Sequence, residues 1–372
     1  MTPKSIWGHE PAFTSTVSRM FRVGSPGADP YHTERTAVKK RTEIAAGIDT
    51  SRSTLWVMAE GQSEVRQYGN DDVGHRALIA DLTRGGRRVR VVVEATGTYH
   101  LDLAMALSNH RLCRVSVINP RSSKHFHEAQ NRRAKTDTVD AKSLCEYARR
   151  MEFVEWTQPD EVALTLRALT RHQAQLTKER TRAKNHAHAL DVSKTTPKVL
   201  HDMVARQLAF IDSELEQVKA LLDQFVADNA SLAGQVKLLE TIPGVGRTTA
   251  LHLLSAFLLL DQEMGAKEIT AWAGLDPRPQ DSGTVERRRA ISKRGSSRIR
   301  AALYFPAVTA ARMEGPLRQF HERIADRKGL PMTGILALMR KILTVSWAIH
   351  RTGSAWDATK VMPAGRSNPI TA

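Results

Sequence analysis

An α/β domain followed by a mainly helical region is the fold class this sequence predicts, and three observations predict it. Short apolar, β-branched runs alternate with helix-like segments between about residues 41 and 155. From 156 to 230, leucines recur only at helical spacing, among Arg, Lys, His and Glu. After residue 235 a helix end, the turn Ile242-Pro-Gly-Val-Gly246 and a second helix follow. Apolar runs bounded by turn residues read as strands, and apolar residues three and four apart read as one face of a helix.

Taken in order, residues 1–40 are rich in Pro, Gly, Ser and Thr without a sustained period, which predicts a disordered or loosely packed extension. Strands are expected near 44–49 and 54–60, joined by a short polar link as an antiparallel hairpin. Val89-Arg-Val-Val-Val-Glu94 reads as a buried central strand, and Cys113-Arg-Val-Ser-Val-Ile-Asn119 as another. Helices near 74–84, 101–110 and 136–147 would make the later strands parallel neighbours in a mixed sheet. Two long amphipathic helices, broken near Ser193-Lys-Thr-Thr-Pro197, form the segment 156–230. Such an arm cannot bury its apolar stripe alone, so it is expected to pack as a coiled coil within the chain or between subunits. Residues 356–372 read as a flexible tail.

The chain has 372 residues, 55 Lys+Arg against 39 Asp+Glu and a net charge of +16, so a polyanion, and nucleic acid above all, is the expected partner. No continuous apolar run approaches the roughly 20 residues of a membrane-spanning helix, and the start lacks a signal-peptide core. No membrane role is therefore expected. Two cysteines, Cys113 and Cys145, make no disulfide framework, which fits a reducing cytosol. His125-x-His127 and His186-x-His188 lack the further ligands of a zinc site and read as surface or phosphate-facing histidines.

Four acids stand out by position. Asp49 ends the first strand, Glu94 ends Val89–Glu94, and Asp137 and Asp140, three apart, share a face if their segment is helical. Converging carboxylates repel and are costly to desolvate unless a cation compensates them. Hard oxygen donors of this kind suit Mg²⁺ or Mn²⁺, and two such ions can clamp the attacking and leaving oxygens of a phosphodiester.

Further on, Leu238-Leu-Glu-Thr-Ile-Pro-Gly-Val-Gly-Arg-Thr-Thr-Ala reads as a helix-hairpin-helix. Gly244 and Gly246 would let a phosphate backbone approach the amides of the second helix, with Arg247 beside them. Contact of that kind positions DNA without reading bases. The segment 271–304 is densely cationic, with Arg278, Arg287, Arg288, Arg289, Lys293, Arg294 and Arg298 expected to face nucleic acid. Within it Ser282, before Gly283, is a hydroxyl on a turn among guanidinium groups that could offset charge on a phosphate under attack. Ser292, Ser296 and Ser297 compete for that role.

Together these blocks resemble the DEDD-type insertion-sequence transposases, the group that includes the Piv DNA invertase and the bridge-RNA-guided recombinases. Gly47-Ile-Asp-Thr-Ser51 is similar to the family's opening block, and Glu94-Ala-Thr-Gly-Thr-Tyr99 to its second. Asn119-Pro and Arg133-Ala-Lys-Thr-Asp-Thr-Val-Asp-Ala141 look like the third and fourth acids in context. Ile242-Pro-Gly-Val-Gly, Ala273-Gly-Leu-Asp-Pro-Arg, Ser282-Gly and Ile291-Ser-Lys-Arg-Gly match the C-terminal blocks. The resemblance implies a RuvC-like (RNase H-type) domain over 41–155, a coiled-coil arm over 156–230 and a helical transposase domain over 231–355. It implies Mg²⁺ on Asp49, Glu94, Asp137 and Asp140, and Ser282 as the nucleophile of a covalent phosphoserine link to DNA. Implied partners are double-stranded element ends and target, a noncoding guide RNA in part of the family, and further copies of the chain in a dimer or tetramer. The expected location is the bacterial cytoplasm, on the nucleoid. Gln280-Asp281 before the serine and the long N-terminal extension depart from the family pattern. The rival activity is a Holliday-junction-resolvase-like endonuclease, with the same acids and no serine chemistry.

Overall fold

Strand β1 (Ile44–Thr50) is buried on both faces, as its run of small and branched residues requires of a central strand. Its neighbours are β2 (Thr54–Ala59), antiparallel, and β4 (Val89–Glu94), parallel. With β3 (Arg66–Gly69) and β5 (Cys113–Ile118) they make a five-stranded mixed sheet in the order β3-β2-β1-β4-β5. This computed structural model describes residues 43–130, 136–278 and 290–360. The whole expected N-terminal extension and most of the tail thus lie outside the described residues.

The chain divides into two units, the first closing at Trp156 and the second opening at Thr157. In the first, helices α1 (Asp72–Leu82) and α2 (Leu101–Ser108) cover one sheet face. There Leu78, Leu82, Leu103 and Leu107 pack on Ile48, Val57, Val91 and Val93. The other face takes α4 (Asp137–Arg150), whose Leu144 and Ala148 pack on Ala45, Val92 and Ile118. That helix lies directly on Gly47: a Cβ there would stand 2.1 Å from the Cys145 amide nitrogen and 2.4 Å from the Leu144 carbonyl carbon.

Two elements of this unit escape the sequence reading. Strand β3, Arg-Gln-Tyr-Gly, has no apolar alternation because it is a partly exposed edge, held by pairing with β2 and by Arg66 and Tyr68 hydrogen bonding to Asp81. Helix α3 (Pro120–Ala129) is polar apart from Phe126 and Ala129, too few apolar residues for hydrophobic periodicity to mark it. Its start was nonetheless encoded: Asn119 caps it, accepting from the Arg121 amide at 2.8 Å, and Pro120 is its first residue.

In the second unit α5 (Glu161–Val192) and α6 (Lys198–Ala227) pack as a pair, broken where Pro197 restricts the residue before it. Val204, Ile211 and Val218 are buried at seven-residue intervals along α6, the spacing that keeps one seam facing a partner helix. The helices that follow share one core with the base of the pair. They are α7 (Ala230–Glu240), α8 (Arg247–Phe257), α9 (Ala266–Trp272), α10 (Ser297–Arg312) and α12 (Pro331–Thr352). Between the last two lies α11 (Pro316–Lys328), with Leu317 in the same core. Phe257 and Trp347 meet edge to face there, ring centres 5.1 Å apart. Trp356 packs against this core, and its amide donates to Thr241 Oγ1 at 2.9 Å.

Helix α12 is a core helix of the second unit. By length and composition it could cross a bilayer, although no continuous apolar run had suggested such a segment. Its apolar residues form a stripe interrupted by Arg340 and Lys341, and Leu338, Met339, Ile342, Leu343 and Trp347 bury that stripe in the helical core.

Candidate functional site

Parallel pairing of β1 with β4 puts Ile48 beside Val93, so Asp49 and Glu94, one residue on, end adjacent strands on the face that α4 covers. Helix α4 is capped by the Thr136 hydroxyl and brings Asp137 and Asp140 in its first turn, where the helix dipole favours negative charge. Close seating of α4 on Gly47 draws that first turn to the strand ends. The result is a cavity of about 670 Å³ lined by Asp49, Glu94, Asp137 and Asp140, with Thr50, Ser51, Ser123, Lys124 and His127 among its other walls. The Ser51 wall is fixed from below, because the Asn70 side-chain amide donates to the Ser51 carbonyl at 2.8 Å. Asn70 Oδ1 is in turn bonded to the buried His75 at 2.9 Å.

Electrostatics ties the four acids together. Burial, followed by the charges of Asp140, Asp137 and Glu94, pushes the Asp49 carboxyl up to about 6. Thr50 Oγ1 and His127 Nδ1 are buried without a hydrogen-bond partner at the same cavity, among the described residues. Orphaned polar atoms beside crowded carboxylates are the surroundings that a bound cation and its water would satisfy. Among the described residues, however, no three His, Cys, Asp or Glu side chains approach closely enough to cage an ion as they stand. What the fold supplies is a shared acidic cavity with hard oxygen donors.

The sequence pattern predicts a surface or phosphate-facing side chain at His127. Its side chain is only 16% exposed and its Nδ1 stands 3.6 Å from Asp140 Oδ1, whereas His125 is 60% exposed. The signal was the Asn119-Pro120 helix start, since a helix from Pro120 puts Ser123, Lys124 and His127 on one face.

At the candidate hairpin, α7 and α8 are joined by Thr241–Gly246, and Gly246 caps α8 with no side-chain acceptor for its first-turn amides. The two glycines do different work. Gly244 has φ of +85°, and a Cβ there would stand 2.5 Å from the Pro306 carbonyl oxygen, while around Gly246 nothing lies within 4 Å. Gly244→Ala should therefore destabilise the fold by about 2–4 kcal/mol in urea melts, and Gly246→Ala by under ~1 kcal/mol. Arg247 is already paired, its Nε 2.6 Å from Asp223 Oδ1 on α6. Lys293, Arg294 and Arg298 are exposed.

Ser282, Arg287, Arg288, Arg289 and the Arg278 side chain lie outside the described residues. On either side of that segment, β6 (Pro277–Arg278) pairs antiparallel with β7 (Ala290–Ile291). Two of the competing serines have structural occupations. The Ser292 hydroxyl donates to Asp276, and Ser296 caps α10, accepting from the Ile299 amide at 3.3 Å.

Two family models match the chain, the first running past Trp156 through the end of α5. A family model described as a transposase, of the DEDD IS110 type, matches residues 46–195, and a second, the transposase IS116/IS110/IS902 family, matches residues 236–322. The pilin gene-inverting protein of Moraxella bovis is 32% identical over 279 residues, covering 72% of this chain and 82% of that protein. A 44.8 kDa protein of insertion element IS116 from Streptomyces clavuligerus is 23% identical over 382 residues, 84% of this chain and 96% of its own length. The transposase of insertion sequence IS1328 from Yersinia enterocolitica is 24% identical over 272 residues, 65% and 78%. Both matched segments, in this order, and a relative above 30% identity along most of its length make one assignment: the chain belongs to the IS116/IS110/IS902 family of transposases and recombinases.

Proposed function

We propose that this protein is a divalent-metal-dependent recombinase that cuts and rejoins the DNA of an insertion sequence through a covalent phosphoserine intermediate. Asp49, Glu94, Asp137 and Asp140 would hold Mg²⁺, or Mn²⁺, and Ser282 would be the nucleophile. One observation carries the reading: two strand ends and one helix start deliver all four acids to a single cavity, where burial and then the charges of Asp140, Asp137 and Glu94 raise the Asp49 carboxyl to about 6. The strand order β3-β2-β1-β4-β5 agrees with a RuvC-like, RNase H-type domain. Bound at those acids, Mg²⁺ would supply positive charge to the phosphate under attack.

The remaining chemistry belongs to the chain. The Ser282 oxygen forms a bond to phosphorus as the bond from phosphorus to O3′ breaks, and the serine proton ends on the departing O3′. One phosphodiester is exchanged for another, so a free 3′-hydroxyl can reverse the step on a different strand without a high-energy cofactor. Lys293, Arg294 and Arg298, with Arg278, Arg287, Arg288 and Arg289, offset phosphate charge, and the Gly244–Arg247 turn holds the backbone. The hydrogen bonds already made by Ser292 and Ser296 favour Ser282 over those two. The printed name of the Moraxella relatives, a gene-inverting protein, favours rejoining over hydrolysis. Duplex element ends and target, a noncoding guide RNA and further copies of the chain, as a dimer or tetramer, complete the assembly in the bacterial cytoplasm.

The test is Ser282→Ala, purified beside wild type from cells that also carry the flanking noncoding DNA. With Mg²⁺ the wild type should form a protein–DNA adduct that survives denaturing gels, and a defined RNA should copurify. The variant should lose the adduct and all strand joining. Cutting that continues undiminished in the variant would make this a hydrolytic resolvase instead.

A further inference from the structure

A second cavity, in the helical unit, has a chemistry opposite to the first. Helix α5, helix α8 and the start of α10 enclose about 270 Å³, and the charged side chains on its walls are Arg167, Arg171 and Arg298. No carboxylate lines it, and among the described residues none pairs with any of the three. Arg167 and Arg171 are one turn apart on the same face of α5, a like-charge spacing that by itself disfavours the helix. Burial, with the neighbouring charge of Arg298, lowers the pKa of Arg167; burial, then Arg167 and Arg298, brings Arg171 down to about 10. Both stay charged at neutral pH.

Half-buried, mutually repelling guanidiniums without acids oppose folding unless an anion compensates them. The remaining walls fit an anion. Ser296 sits at the N-terminus of α10, whose dipole favours negative charge, and burial keeps His252 neutral, able to donate one hydrogen bond. The volume is below the ~300 Å³ at which pockets begin to hold whole drug-sized ligands, which suits one phosphate group. Arg298 is exposed and follows the exposed Lys293 and Arg294, so positive surface continues outward from the pocket along the chain.

We propose that this pocket seats a single backbone phosphate of duplex DNA, clamped by Arg167 and Arg171 and closed by Arg298. The guanidinium fork matches two phosphate oxygens at once, which a lysine cannot do. The site is an anchor for the strand, separate from the acid cavity, and rests on the recombinase reading only for the identity of its polymer.

The experiment compares full-length wild type with Arg167→Gln/Arg171→Gln in two arms. In the first, binding of a labelled duplex is measured from 50 to 200 mM salt. Losing the anchor should lower the slope of log K against log salt by about 1, the share of one phosphate contact. In the second, melting is followed with inorganic phosphate at constant ionic strength. Phosphate should raise the melting temperature of the wild type and leave the variant unmoved. An unchanged slope with phosphate stabilisation intact would make this a free-phosphate site and overturn the DNA anchor. A slope change seen only with RNA would overturn it too, and no response in either arm removes the site altogether. Wild type that binds no duplex at any salt would count against the recombinase reading, and the pocket would then stand or fall with the phosphate melt. Should the variant not fold, phenylglyoxal labelling of wild type decides: duplex should shield Arg167 and Arg171, and equal labelling with and without DNA overturns the proposal.

Discussion

Asp49→Asn should abolish DNA strand cleavage, at least about a thousandfold, while making the metal-free protein more stable. Removing one group aimed at transition-state charge already costs on the order of 10²–10³ in rate, and a shared metal ligand should cost no less. Stability moves the other way because the carboxyl is held near 6 by burial and by Asp140, Asp137 and Glu94, against an ordinary value of 3.8. Between those two values the folded protein binds more protons than the unfolded chain, so stability falls as pH rises from about 4 to 6 and stays low above. At 1.36 kcal/mol per unit, discounted for the solvent that still reaches Asp49, the loss is on the order of 1–2 kcal/mol. Asn carries no charge and should flatten that part of the pH profile. Mg²⁺ should reverse the wild-type loss at pH 7.5, and EDTA should restore it, with neither affecting the variant. Urea melts from pH 4 to 8 check the sign. A wild type no more stable at pH 4.5 than at 7.5 in EDTA, or a variant that still cuts, would refute the shared acidic site.

Sequence patterns reached this site unevenly, for physical reasons. Asp49 and Glu94 were legible because each ends a run of buried, branched residues, and a strand end in an α/β sheet is where side chains escape the core. Asp137 and Asp140 were legible as one helix face. What brings the two pairs together was not: nothing in the period of α4 says that its backbone rests on Gly47, since a close approach leaves no side chain to read. The same blindness hid α3, a polar helix whose only announcement is its cap, and with it His127 and Lys124 on the cavity wall. In the second unit, leucine spacing marked α5 and α6 and the break between them. It could not show that Arg167 and Arg171 turn inward, because arginine at helical spacing ordinarily lies on a solvated face.

Gly47→Ala should harm both fold and catalysis without touching a charged residue. One added methyl would stand 2.1 Å from the Cys145 nitrogen and 2.4 Å from the Leu144 carbonyl carbon, both backbone atoms in the middle of α4. Neither can swing aside as a side-chain tip would, so the helix must retreat as a body, by roughly 1 Å or more, or the strand must bend. Overpacking of this kind costs about 1–3 kcal/mol, and more where backbone is the obstacle. The retreat would carry Asp137 and Asp140 away from Asp49 and Glu94, and a displacement of about 1 Å can lower a rate some hundredfold. Gly234→Ala on α7 is the control: nothing lies within 4 Å of its added methyl, and alanine is the better helix former by about 1 kcal/mol. Urea melts and Mg²⁺-dependent cleavage, measured on both variants, should give loss of both properties for Gly47→Ala and neither for Gly234→Ala. A Gly47→Ala protein that melts and cuts like wild type would mean that the seat of α4 on β1 does not set the spacing of the four acids.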